Sequence, residues 1–157
     1  ESRGLTQAEA VAVMVWFGPA QVAGRFAFLW LGRSLNQRTL ALTVLALFPL
    51  SLVLFALGRE PGVLVAFAVL FGVANGLITI VRSNIVPDFY GREHVGRITG
   101  AMSGIALCTR AAAPFLTAWA LVGLGGYTGL LWGLVGMGVA SLALFALARR
   151  PARRLGP

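Results

Sequence analysis

These 157 residues contain no lysine, one cysteine, one histidine and only five carboxylates. Each shortage excludes something. The lone Cys108 cannot form an internal disulfide, and without a CxxC pair or a Cys/His cluster no metal site is expected. Glu1, Glu9, Glu60, Asp88 and Glu93 all fall at the ends of apolar runs or between them, so no carboxylate is placed to relay protons from inside such a run. His94 stands alone in a connecting segment. There is no Gly-x-Ser-x-Gly, no HExxH and no phosphate-cradling glycine loop, so no catalytic residue, no enzyme activity and no cofactor are expected. Charge itself is scarce, at 11% of residues, where a soluble domain carries about a quarter. The net charge of +8 and pI near 11.7 would point to nucleic acid in a soluble protein. Here the arginines sit in short joints and form no basic face with interleaved aromatics, so nucleic acid is not expected as a partner.

What is present in quantity is apolar. Hydrophobic residues make up 58% of the chain and the mean hydropathy is +0.84. So apolar a chain has no small core able to hide its side chains, and the lipid bilayer is its natural solvent. Five apolar runs, 10–31, 39–58, 62–86, 98–122 and 127–148, each approach the roughly 20 residues that cross a hydrocarbon core. They are too long for strands, and a helix alone satisfies its own backbone in lipid. The fold class expected is all-α, a polytopic transmembrane bundle of five spans, with residues 1–157 forming a single transmembrane domain. The chain opens at Glu1 with no basic segment and cleavage site of a signal peptide, and is expected to be an internal piece of something longer.

The arginines set a direction. Arg33, Arg38, Arg92, Arg97, Arg149, Arg150, Arg153 and Arg154 fall in the first and third joints and the tail, against Arg3 and Arg59 on the opposite side. That bias places the C-terminus in the cytoplasm and the N-terminus outside, in a cell (inner) membrane, by the positive-inside rule.

Three arginines remain within the spans. Arg25 and Arg82 lie within about two turns of a cytoplasmic helix end and can snorkel to the interface; they are candidate gate or interface residues. Arg110 cannot. It lies roughly 18 Å from either end of its span at 1.5 Å per residue, where an ionised group costs at least about 2.5 kcal/mol unless it faces water or a partner. Two other strongly polar groups share its depth, Gln21 in the first span and Asn75 in the third. The second and fifth spans bring only hydroxyls, which bond back to their own helix. Three spans are therefore expected around a polar centre, with two facing lipid.

Spacing agrees with that grouping. Asn75, Thr79, Arg82 and Ser83 form one stripe of the third span, and Thr99, Ser103, Ala106, Arg110, Ala113 and Thr117 one face of the fourth. Arg110, Asn75, Gln21 and Thr79 are the candidate substrate-pathway residues, although the same polar groups could serve only as interhelical glue. Gly72 and Gly76, and Gly96, Gly100 and Gly104 with Cys108, recur every four residues as stripes that let helices approach closely. Pro19 and Pro114 fall mid-span, each removing a helical hydrogen bond, and are candidate gate or kink positions.

The stretches "GPAQVAGR", "GVANGLITIVR", "PDFYGREHVGRITG", "AAAPF" and "GGYTG", in this order and at these separations, resemble the C-terminal half of a major facilitator superfamily transporter, from the end of helix seven through helix twelve. The resemblance covers nearly the whole chain. It implies a partial half of a two-half molecule that rocks to expose a central pathway alternately to each side. It also implies that the tenth helix lines the cavity, the eighth and eleventh flank it, and the ninth and twelfth lie outside. The partners implied are the bilayer, the missing N-terminal half of the same transporter and a small-molecule substrate. The family's loop motif Gly-x-x-x-Asp-Arg-x-Gly-Arg-Arg survives here only as Gly32-Arg33, with Leu29 and Trp30 at the Asp and Arg positions, which weakens its role as a gate latch.

Secondary transport by alternating access is therefore the function expected. A guanidinium at mid-depth fits an anionic or carboxylate-bearing substrate, or else a carboxylate on the absent half. The alternatives are a non-transporting membrane scaffold or assembly subunit, and a transporter of another family built from five-helix repeats.

Overall fold

The computed structural model describes residues 7–31, 36–90 and 93–148. Six helices follow in order: α1 (Gln7–Val15), α2 (Phe17–Leu31), α3 (Gln37–Leu57), α4 (Pro61–Tyr90), α5 (Val95–Gly123) and α6 (Tyr127–Leu147), with no strand among the described residues. Among the described residues five stretches are long and apolar enough to cross a membrane: Val11–Trp30, Gln37–Leu57, Pro61–Pro87, Val95–Gly123 and Tyr127–Leu147. The protein is an all-α, multi-pass membrane protein.

The helix ends have local causes. The first span breaks at Trp16, between α1 and α2. Pro19 has no N–H to donate to Val15, four residues back, and its ring crowds that carbonyl. The chain answers with a turn in which the Trp16 N–H reaches Val13 at 3.3 Å, and the helix restarts when Ala20 donates to Trp16 at 3.1 Å. Pro114 breaks nothing, because α5 runs through it, as α3 does through Pro49 and α4 through Pro87. Asn36 caps α3, its Oδ1 accepting from the Arg38 N–H at 3.3 Å. Pro61 opens α4, where a missing N–H removes nothing. Gly125 and Gly126 turn α5 into α6 at φ values of 71° and 112°, a region that favours glycine.

Two ends differ from the sequence expectation. α4 extends to Tyr90 rather than stopping at 86, and α5 begins at Val95 rather than 98. The joint between them is correspondingly short. Both helices, at 30 and 29 residues, are about 45 Å long against a hydrocarbon core of about 30 Å, so their ends stand in the interface or beyond it.

The packing rests on small residues. α2 and α4 meet along Phe17, Ala20, Gln21 and Gly24 on one side and Gly72, Val73 and Gly76 on the other. A Cβ added to Gly72 would stand 2.8 Å from the Ala20 methyl, and one added to Gly24 would stand 2.9 Å from the Val73 carbonyl oxygen. On Gly76 it would fall onto the Gln21 carbonyl. α3 lies against both α4 and α6: Leu40, Ala41 and Val44 form a core cluster with Leu77 and Val81, with Phe145 of α6 packed on it. Gly138 of α6 sits over Pro49, where a Cβ would come within 3.3 Å of the ring. α3, which brings no strongly polar group, turns an inner face of Leu40, Ala41, Val44, Pro49 and Ser51 into the bundle, and leaves Thr39, Thr43, Leu50 and Leu57 exposed. Its one buried hydroxyl, Ser51, donates to the Phe48 carbonyl at 2.7 Å and needs no partner elsewhere.

α3 and α6 are tied at one end by Arg38, whose Nη2 donates to the Ala146 carbonyl at 2.7 Å. That carbonyl is one of the last four of α6, which have no partner within the helix, and the cation also opposes the negative end of the helix dipole. Arg38→Ala is expected to destabilise the protein by about 1 kcal/mol, read as a lowered melting temperature in detergent, with Arg38→Lys recovering part of it. An unchanged melt in Arg38→Ala would mean the contact contributes nothing.

Candidate functional site

The expected site residues fall on three helices, and the structure treats each differently. Gln21, on α2, turns its backbone into the seam with Gly76, and its side chain is half-buried. Asn75 adjoins Gly76 on α4 and is also half-buried. The two residues thus occupy neighbouring positions at the crossing of α2 and α4. Thr79 is exposed, one turn further along, and its Oγ1 donates to the Gly76 carbonyl of its own helix at 2.9 Å. Its lone pairs stay open to a donor, but its hydrogen does not.

Arg82 connects helices. Its Nη2 donates to Ser103 Oγ of α5 at 3.5 Å, a long hydrogen bond. Ser103 belongs to the stripe that contains Arg110 two turns on, and its neighbours Thr99 and Ala106 are likewise half-buried. At the Val95 end, therefore, the polar face of α5 is turned toward the rest of the chain.

Beyond that point α5 has little against it. None of its residues is buried. Arg110, Ala113 and Thr117 are exposed, as are Phe115, Trp119 and Val122. Arg110 lies 15 residues from Val95 and 13 from Gly123, about 20 Å of helix in either direction. Among the described residues it has no hydrogen bond and no ion pair. Thr109 beside it is occupied, donating to the Ile105 carbonyl at 2.9 Å. The guanidinium, Gln21, Asn75 and Thr79 are not hydrogen-bonded to one another among the described residues.

The two glycine stripes also diverge. Gly72 and Gly76 are closed against α2, whereas Gly96, Gly100 and Gly104 have nothing within 4 Å of where a Cβ would stand. Cys108, on the same stripe, is exposed. Arg25 is exposed on α2. Arg3, Arg33, Arg92, Arg149, Arg150, Arg153 and Arg154, on which the direction of insertion rests, lie outside the described residues, as does the Gly32-Arg33 remnant of the loop motif.

Sequence reasoning missed the α2 side of the glycine seam and the pairing of Pro49 with Gly138. The first had a signal: Ala20 and Gly24 are four apart, like Gly72 and Gly76. The second had none, because a proline and a glycine on different helices carry no mark that they meet. Among the described residues no group of three or more metal-ligating side chains exists.

No curated protein and no solved structure matches this chain. The family model of the Major Facilitator Superfamily matches residues 1–157 of this sequence. With membrane-length helices and no strand among the described residues, this protein belongs to the Major Facilitator Superfamily of transporters.

Proposed function

We propose that these helices are the eighth to twelfth of a secondary transporter that works by alternating access, and that Arg110 with Asn75, Gln21 and Thr79 forms one wall of its midplane pathway. The substrate is a small solute carrying a carboxylate or another anionic group. The chain runs from an outer N-terminal end to a cytoplasmic C-terminal end in a cell membrane. Arg82, through Ser103, holds α4 to α5 near the cytoplasmic side, where the two helices separate or close. Pro19 and Arg25 on α2 and Pro114 on α5 belong to the moving surfaces.

The observation that carries this reading is the exposure of Arg110 at the middle of a membrane-length helix with no partner among the described residues. An arginine there is tolerated only beside water or an opposite charge. The other half of the transporter supplies the facing wall, and α5, with its glycine stripe open, is the surface left to meet it.

A water-filled pathway has a chemical signature, because thiol reagents attack the thiolate, which forms in water and not in lipid. Starting from a Cys108→Ala background, single cysteines placed at Ala106, Arg110, Ala113 and Thr117 are expected to react with a membrane-impermeant methanethiosulfonate. Cysteines at Gly104 and at the native position 108, on the other side of α5, are expected to stay unreactive. A helix that reacts on no face, or only on the glycine side, would remove the pathway and leave a membrane scaffold.

A further inference from the structure

α2 carries two strongly polar side chains, Gln21 and Arg25, four apart and so on one stripe of the helix. Gln21 is half-buried beside the seam. Arg25 is exposed and has no hydrogen bond or ion pair among the described residues. It lies five residues before the Trp30 end of its span, about 8 Å of helix, and so nearer a membrane face than Arg110.

The seam shows which flank of α2 this stripe occupies. One helix, α3, separates α2 from α4, so with each span crossing once the two run in the same direction. On α4, Asn75 precedes the seam residue Gly76 by one position and Thr79 follows it by three. Both are therefore turned from Gly76 in one sense around the axis, by about 100° and 60°. On α2, Gln21 and Arg25 each follow a seam residue, Ala20 and Gly24, by one position. They are turned from it by about 100° in the other sense. Helices that face each other and run the same way mirror one another, so opposite senses fall on the same flank. The contacts agree: Gln21 meets Gly76, whereas Gly24 meets Val73, further round α4 from Thr79.

Across that flank stands α5, joined to α4 through Arg82 and Ser103. α2 and α5 do not touch among the described residues. A groove floored by Asn75 and Thr79 thus opens between them, and neither wall carries a carboxylate.

We propose that Arg25 is a second anion-contacting residue of the pathway, between mid-depth and the Trp30 end of α2, where its charge draws the anionic group of the solute. This rests on the pathway reading above and adds to it a residue that selects for charge. A guanidinium that instead left the groove for lipid headgroups would not set the potential at Thr79, and that potential can be measured.

The test uses the intact transporter in detergent at low ionic strength, in the Cys108→Ala background with Thr79→Cys as reporter. Two reagents are compared, the anionic sulfonatoethyl and the cationic trimethylammonioethyl methanethiosulfonate. A unit charge about 8 Å away through water changes the ratio of their rates about fivefold. Arg25→Gln is therefore expected to lower the anion-to-cation ratio at Thr79→Cys about fivefold, and Arg25→Lys to leave it unchanged. At Glu60→Cys, at the far end of α4, no variant is expected to change it. Ser83→Cys, exposed on the next turn of α4, replaces the reporter should Thr79→Cys not fold. A reactive Thr79→Cys whose ratio ignores Arg25→Gln would overturn the role of Arg25 and leave the pathway standing. A ratio that falls equally in Arg25→Lys, or equally at Glu60→Cys, would overturn it too. A reporter that reacts with neither reagent would overturn the pathway itself, and Arg25 with it.

Discussion

Gly76→Leu is expected to abolish the folded protein, and Gly76→Ala to lower its melting temperature. The reason lies in the α2–α4 seam, where the closest approach is between backbones. A Cβ on Gly76 falls onto the Gln21 carbonyl, and backbone cannot rotate away as a flexible side chain can. α2 must therefore slide or lift, which opens the contacts of Ala20 with Gly72 and of Gly24 with Val73 on either side. Overpacking of this kind costs about 1–3 kcal/mol for one extra methyl, and a leucine adds three more heavy atoms to the same point. In lipid the loss is not softened by the hydrophobic effect, since the separated faces are as well solvated by acyl chains as by each other. The check is size-exclusion profile and thermal melting in detergent. Gly100→Leu is the comparison, because Gly100 has open space around it here. A Gly76→Leu protein that melts like the parent would show that the seam is not where the structure places it. Loss of the intact protein in Gly100→Leu as well would show that a helix from the other half lies along α5.

The same pair of glycine stripes marks how far the sequence can be read. Gly72-Gly76 and Gly96-Gly100-Gly104 are the same pattern in text, and both read as surfaces for close approach. Among the described residues only the first meets a helix. A stripe states that a neighbour is permitted, while the identity of the neighbour depends on the topology of the whole bundle. The spans were legible for a simpler reason: the bilayer demands about 20 apolar residues per crossing, and the demand is met by each run separately. Their ends were less so. Pro87, Asp88 and the aromatic residues after them look like a joint, yet α4 continues through them to Tyr90, because the interface solvates polar residues without ending a helix. Pro19 was legible as a distortion, and its position gives the break at Trp16 through the bond it cannot make to Val15. Pro114 has the same chemistry and α5 stays continuous.

The polar groups follow the same division. Sequence depth places Arg110, Gln21 and Asn75 at one level. That shared depth is an expectation counted along each span, and it says nothing of rotation or lateral spacing. In the structure Gln21 and Asn75 lie beside the α2–α4 crossing, whereas Arg110 stands exposed on α5. The stripe through Ser103 and Ala106 shows which way that face turns where α5 does touch α4.

Arg110→Ala is expected to reduce solute uptake by at least about thirtyfold. Removing one partner of a desolvated, hydrogen-bonded charge pair costs at least about 2 kcal/mol, and each 1.4 kcal/mol is tenfold in binding. Arg110→Lys keeps the charge but loses the planar fork that grips a carboxylate through two parallel bonds, so it is expected to fall between the alanine variant and the parent. The measurement is counterflow in proteoliposomes holding the intact transporter, with radiolabelled small carboxylates and neutral sugars as probes, and with folding of each variant checked by its melt. Carboxylate counterflow that collapses in Arg110→Ala, with the melt unchanged, assigns the guanidinium to the solute. A guanidinium paired instead with a carboxylate of the other half gives a different pattern: the alanine variant leaves that carboxylate buried and unpaired, and its neutralisation restores counterflow. Counterflow that survives both Arg110→Ala and Arg110→Lys would remove the residue from the pathway, because a charge at mid-depth that touches neither solute nor partner gives transport nothing to lose.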